Sequence, residues 1–307
     1  GHFGGTNSIS AANIGGQVLV ILTNLAAGLS GGGTVMLGNY LGSKRKDKIN
    51  GAISTLLTTL TVMAAVFMVL LFILKQPLLR LLDTPEEAFS QAEQYLFICT
   101  LGLLFIYGYN ALSAIMRGLG DSRTPMIFVM IACVINIILD LVLVAGLHLG
   151  AGGAAVATVF AQGCSMLFCI IYLKHHDFMF DFKPSSFHFI KEEFHTLLRT
   201  GLPLSIQMVG TNFSFLILTT FINRAGGVAA SAAAGIVNNF NGFAILPEAA
   251  ISSAASAMIA QNMGKKFVKI TKVENLIFPD MNFLLMKSEK MELQIHCIQS
   301  RKIISLQ

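Results

Sequence analysis

Residues 126–147 read MIFVMIACVINIILDLVLVAGL. This run carries one charged residue, Asp140, and exceeds the ~20 apolar residues that an α-helix needs to cross a hydrocarbon core. Pro125 opens it, a residue suited to a first helical turn because no intrahelical partner awaits its missing N–H. A strand is excluded. Lipid cannot satisfy an open strand's backbone, and no alternating pattern of ~10 residues appears anywhere in the chain. Comparable runs lie on both sides: Ile14–Leu41, Ile53–Leu74 and Tyr95–Met116 before it, then Ala154–Leu173, Leu202–Ile222 and Ala232–Ala260 after it. The fold class is therefore all-α, a polytopic transmembrane helix bundle of about seven helices.

Composition agrees. Of 307 residues, 54% are hydrophobic and 12% charged, and the mean hydropathy is +0.69. A soluble domain carries about 25% charged residues. The net charge of +5 does not indicate nucleic acid, because the basic residues fall in short loops between apolar runs. Cys99, Cys133, Cys164 and Cys169 lie inside apolar runs, and Cys297 lies near the end. No Cys-x-x-Cys pair occurs among them, so they read as reduced apolar filler. The chain opens at Gly1 with neither methionine nor a signal peptide, which suggests a natural start further upstream.

The loops give the orientation. Lys44, Arg45, Lys46 and Lys48 follow the first span, Arg117 and Arg123 the third, and Lys174, Lys183, Lys191 and Arg199 the fifth. Lys265, Lys266, Lys269 and Lys272 follow the seventh. The alternate loops hold little more than Lys75, Arg80 and Arg224. The positive-inside rule puts the first set in the cytoplasm. Residues 174–199 form a polar, partly amphipathic linker with His175, His176, His188 and His195, whose spacing matches no standard metal-ligand set. After Phe267 the texture changes to mixed Lys, Glu, Asn and scattered apolar residues, and no span fits.

The first and seventh spans resemble each other at one offset. Gly4-Gly5 matches Gly226-Gly227, Ala11-Ala12 matches Ala233-Ala234, Met36 matches Met258, and Gly42 matches Gly264. Both run in the same direction, as expected of a parallel repeat in a transporter built from two similar halves.

A charge at mid-membrane costs at least ~2.5–3.5 kcal/mol, so each one requires a reason. Asn136 precedes Asp140 by one helical turn and shares its face. The fourth and fifth spans form a hairpin turning near His148–Gly152, and Asp140 and Thr158 lie about 12 Å below that turn, from a rise of 1.5 Å per residue. A carboxylate, an amide oxygen and a hydroxyl at one depth suit Na⁺, or form a polar cluster around a protonatable acid. The plainer alternative is an interhelical hydrogen-bond network. In the seventh span Glu248 follows Pro247, which frees local carbonyls, and Asn238, Asn239 and Asn241 lie above it. These residues suit a cavity for a cationic substrate. Gln162, Gln207 and Asn212 suit interhelical hydrogen bonds. No GxxxxGK[ST] or HExxH occurs, and no nucleophile–base set, so the expectation is no enzyme and no cofactor.

Several stretches resemble the multidrug and toxic compound extrusion (MATE) family: Gly28-Leu29-Ser30, Gly38–Gly42, Met116-Arg117-Gly118-Leu119-Gly120-Asp121-Ser122-Arg123-Thr124-Pro125, Asn136-Ile137-Ile138-Leu139-Asp140, Gly150–Thr158, Gly201-Leu202-Pro203 and Gln261-Asn262-Met263-Gly264. The resemblance implies twelve helices in two six-helix lobes, with this chain similar to the second through eighth. On that basis residues 1–173 are first-lobe helices lacking the first, and 174–199 are a cytoplasmic interlobe linker. Residues 200–264 are the first two helices of the second lobe, and 265–307 an atypical cytoplasmic tail. The resemblance also implies a secondary antiporter, multi-pass in a plasma membrane such as a bacterial cytoplasmic membrane, exporting organic cations in exchange for Na⁺ or H⁺. Its cation-coupling residues would be Asn136, Asp140 and Thr158, with Asp140 and Asn136 touching any Na⁺. The substrate cavity would hold Glu248, Asn238, Asn239 and Gln207. Expected partners are the bilayer and small organic cations, without nucleic acid or an obligate protein partner. Two other readings stand beside it: a lipid-linked precursor flippase of the same superfamily, which would have a more cationic cavity, and a non-transporting seven-helix membrane protein.

Overall fold

A computed structural model describes residues 5–82, 84–175, 180 and 188–264, and the side chains of all of these except 5–7, 9–10, 215–220 and 222–249. The described residues form six α-helices and one π-helical segment, with no strand among them: α1 (Gly5–Gly42), α2 (Lys46–Leu81), α3 (Glu86–Gly118), α4 (Arg123–Asp140), the π-helical Leu141–Gly146, α5 (Gly150–His175) and α6 (Lys191–Gly264). The first three expected spans fall in α1 to α3, the fourth runs through α4 and the π-helical segment, and the fifth falls in α5; among the described residues five helical segments are long and apolar enough to cross a membrane. The 265–307 tail, Cys297 and His176 lie outside the described residues.

The sixth and seventh spans differ from expectation. Both fall in α6, a single helix of 74 residues. Straight, it would run roughly 110 Å, more than three times a hydrocarbon core of ~30 Å. Its contacts rule out a straight course. Gly28 and Gly32 of α1 abut Ser205 and Gly201, while Gly38 abuts Ala260 and Gly42 abuts Gln261. Residues far apart along α6 thus meet α1 within a few turns of each other, so α6 is bent back on itself. In the first arm the numbering falls along α1 as it rises along α6, so the two run antiparallel. In the second arm both rise together, so they run parallel. The two expected spans therefore correspond to two arms of one helical element, with the directions the loop charges predicted. Helix α6 also begins at Lys191, earlier than the expected span, and this puts Pro203 inside the helix rather than near its start.

Small residues make the first arm possible. A Cβ on Gly28 or Gly32 would collide with the backbone of Ser205 or Gly201. Both helices thus present small residues four apart, which lets backbones approach closely where lipid provides no hydrophobic drive for association. Thr200 Oγ1 donates to Gly32 O at 3.4 Å and Ser205 Oγ to Leu25 O at 3.1 Å.

Helix α3 supplies the centre of the bundle. Leu96, Leu103, Tyr107 and Ile115 are fully buried against α1, α2 and α5. The Tyr107 hydroxyl donates to Leu22 O at 2.8 Å, tying α3 to α1. At one end of the bundle, the start of α6 docks on the α1–α2 corner. Glu193, 3% exposed, accepts from the Tyr40 hydroxyl at 2.7 Å and pairs with Lys48 Nζ at 3.6 Å. The His188 N–H donates to Ser54 Oγ, and Ile190 N–H donates to Thr55 Oγ1 at 3.2 Å. The linker's last residues are therefore a fixed strap across the corner.

Candidate cation site between α3, α4 and α5

Asp140 is the last residue of α4 and the first before the π-helical segment. Single π-helical turns inside helices occur often at functional sites. The register of the α4–α5 hairpin follows from three contacts. Phe128 stacks on Phe168 and Tyr172 at ring distances of 6.0 and 5.9 Å, and a Cβ on Gly153 would lie 3.2 Å from Leu143. Antiparallel interpolation puts Asp140 opposite residues 156–160, so Thr158 lies at its level.

The side chains are placed as follows. Asn136 and Asp140 are half-buried on one face of α4. Asn136 Nδ2 and Asp140 Oδ1 are enclosed without a hydrogen-bond partner. Buried polar atoms are paired in the great majority of cases, so two orphans one turn apart need a reason. Thr158 Oγ1 donates to Ala154 O at 2.9 Å, which occupies its proton and leaves its lone pairs free. Among the described residues no hydrogen bond joins Thr158 to Asp140, so Thr158 shares the level of Asp140, with Asn136 one turn away, without closing a network. The donor chemistry suits a hard cation, since amide oxygen, carboxylate and hydroxyl are all oxygen ligands, and the Asn136 amide can present its oxygen by a flip.

Tyr95 was not foreseen. It stands on α3 within electrostatic reach of Asp140, and its ring lies under Gly15 of α1, where a Cβ would come within 2.7 Å. Towards the α4–α5 turn, Ser8 Oγ donates to Gln91 Oε1 at 2.7 Å, and Gln94 lies against Gly152, 3.0 Å from a Cβ there. Gly150, at φ +57°, turns the chain into α5 directly beneath Ser8. A side chain at this left-handed position would be strained and would strike Ser8 Oγ. Polar groups thus occur both at the Asp140 level and near the α4–α5 turn.

The other expected site residues are less informative. Gln207 is exposed on the first arm of α6. Asn212 was expected to bond between helices; instead its Nδ2 donates to Met208 O of its own helix at 2.8 Å. An Asn side chain can satisfy a carbonyl one turn back, and that local bond wins here. The backbones of Asn238, Asn239, Asn241, Pro247 and Glu248 lie in α6, but their side chains are outside the described residues. Among the described residues no three of His, Cys, Asp and Glu gather to hold a metal.

A family model described as MatE matches residues 1–142 and 203–275, most of the chain. The chain belongs to the MatE family. The second matched stretch contains the segment that repeats the first span. Among curated proteins, this MatE chain is 30% identical over 269 residues to the "Probable multidrug resistance protein YpnP" of Bacillus subtilis, covering 86% of the chain and 59% of that protein. It is 27% identical over 280 residues to the "Probable multidrug resistance protein NorM" of Thermotoga maritima, covering 87% and 58%. The chain therefore spans somewhat over half the length of the relatives it matches. Among solved structures, one titled "Crystal structure of MATE in the bent conformation" aligns with a TM-score of 0.82 at 23% identity, over 92% of this chain and 64% of that one. A MOP superfamily transporter from Pyrococcus furiosus, whose title describes a binding pocket of reverse polarity, aligns with a TM-score of 0.80 at 24% identity, over 88% and 60%. These likenesses establish the MATE transporter fold and a membrane location.

Proposed function

We propose that this chain forms part of a secondary antiporter that exports organic cations and drugs across a bacterial cytoplasmic membrane in exchange for Na⁺ or H⁺. Two features support this: relatives bearing multidrug-resistance names, and the Asn136–Asp140 pair. The pair is the observation that carries the mechanism. Its enclosed, unpartnered atoms sit at an α-to-π junction, with Asp140 level with Thr158. An unpaired carboxylate at this depth is costly and gains from a cation or a proton. Entry of either alters the site's charge, and a two-lobe transporter can use such a change to bias its rocking between outward and inward access. Glu248, Asn238, Asn239 and Gln207 would attract the organic cation into the cavity.

The test is ethidium export from cells expressing the chain within a complete two-lobe transporter, driven by an imposed Na⁺ or pH gradient. Asp140→Asn should reduce gradient-driven export at least tenfold, the loss expected when a buried charged partner is removed at a cost of several kcal/mol. Export by Asp140→Asn at the wild-type rate would sink the assignment. The driving gradient identifies the coupling ion.

A further inference from the structure

The loop Met116–Pro125 is prominent in the sequence, and the cation site makes no use of it. It ends α3, turns at Gly120 with φ +102°, and starts α4. Asp121 Oδ1 accepts from the Thr124 N–H at 3.0 Å, and Gln261 Nε2 from the second arm of α6 donates to Gly118 O at 3.1 Å. Between this turn, α4 and that arm lies a cavity of about 630 Å³. Arg117, Arg123 and Ser122 line one side, and Met126, Val129 and Met258 another.

The cationic side lacks a carboxylate. Arg117 is half-buried, and its Nη1 donates to Ser113 Oγ at 2.7 Å. Among the described residues the ion pairs are Lys48–Glu193 and Lys75–Glu93, so neither Arg117 nor Arg123 is in one. The nearby Asp121 is engaged with the turn's backbone. A guanidinium has five N–H donors and favours carboxylate or phosphate, so most of Arg117's capacity is unspent. The opposite side is apolar, with Met126 and Met258 each over half exposed. The loop charges put this end in the cytoplasmic leaflet, where anionic lipids concentrate and basic pockets between helices bind their headgroups.

We propose that this cavity binds the phosphate headgroup of an anionic phospholipid, with Arg117 and Arg123 on the phosphate and the Met126–Val129–Met258 wall against the acyl chains. A free phosphate would satisfy the arginines but not the apolar wall. The proposal is independent of Asp140 and of transport.

The test is native mass spectrometry of the whole chain, delipidated in detergent and titrated with phosphatidylglycerol, phosphatidylcholine or inorganic phosphate. Phosphatidylglycerol should bind roughly fivefold more weakly to Arg117→Gln and to Arg123→Gln, the effect of one basic residue at an anionic surface. Arg117→Lys should retain most binding, and Arg80→Gln, in the last turn of α2, should bind as wild type. Arg123 is exposed, so Arg123→Gln carries the test even where Arg117→Gln fails to fold. Equal retention of phosphatidylcholine, or wild-type phosphatidylglycerol binding by Arg123→Gln and any folded Arg117→Gln, would overturn the proposal. Displacement of phosphatidylglycerol by equimolar inorganic phosphate would reassign the site to a free anion.

Discussion

Helices α3 and α4 are neighbours in sequence and opposites in environment. In its most apolar stretch α3 buries 56% of its residues inside the protein, and the segment of α4 with the π-helical turn buries 6%. Yet α4 is the more apolar of the two. A soluble protein would invert this, because its most apolar helix would fill the core. In a bilayer the tails are as apolar as leucine, so apolarity marks the surface, and packing and small residues mark the centre. Helix α3 accordingly carries Thr100, Gly102, Tyr107 and Ser113 at buried positions, whereas α4 turns Met130, Val134 and Ile138 outward. The candidate cation pair sits on the peripheral helix, on the face turned towards α3 and α5.

The comparison breaks first at the packed centre if it breaks at all. Gly32→Val should cost most, about 3 kcal/mol, the upper end of overpacking. The new side chain meets the Gly201 backbone and not a flexible chain end. Unfolding of the chain in bicelles would measure it, and a change below about 1 kcal/mol would show that the α1–α6 contact yields easily. Leu103→Ala in α3 follows at about 2 kcal/mol, the low end of core truncation. In membranes only the cavity contributes, because the unfolded reference also keeps leucine in hydrocarbon.

The sequence made some of this legible and hid the rest for definable reasons. The five spans from α1 to α5 were readable because bilayer thickness demands long apolar runs. Asp140 was readable because one charge in such a run is conspicuous. Which helix is central was not, since hydropathy measures affinity for lipid and for protein interior alike. Tyr95 was missed because a tyrosine near a span's end reads as an interfacial anchor. Its ring packs where Gly15 leaves room for it, a contact between helices far apart in the chain. The α6 arms were legible as spans and in direction, but their continuity as one helical element was not. Asn212 shows the limit for polar residues: sequence places an amide in a span without saying whether it reaches across or back along its own helix.

Tyr107→Phe should have a smaller effect, about 0.6 kcal/mol, the usual worth of an interhelical hydrogen bond in a membrane. The ring remains, fully buried beside Phe67 at 6.2 Å, and only the bond to Leu22 O is lost. A loss well above 2 kcal/mol would show that α3 is held to α1 mainly by polar contact, contrary to the packing account.

The smallest effect should come from α4. Ile138 is 54% exposed and lies two residues before Asp140, on the opposite side of the helix from the Asn136–Asp140 pair. Ile138→Ala exchanges side-chain contact with lipid for lipid alone, and should change stability by less than about 0.5 kcal/mol, as other surface substitutions do. Ethidium export should also be unchanged, whereas Asp140→Asn two positions away should reduce it at least tenfold. The pair of measurements separates the two faces of one helix. A loss above about 1 kcal/mol at Ile138 would mean that protein, not lipid, covers this face. Helix α4 would then be internal to a larger assembly, and its low burial would no longer distinguish it from α3.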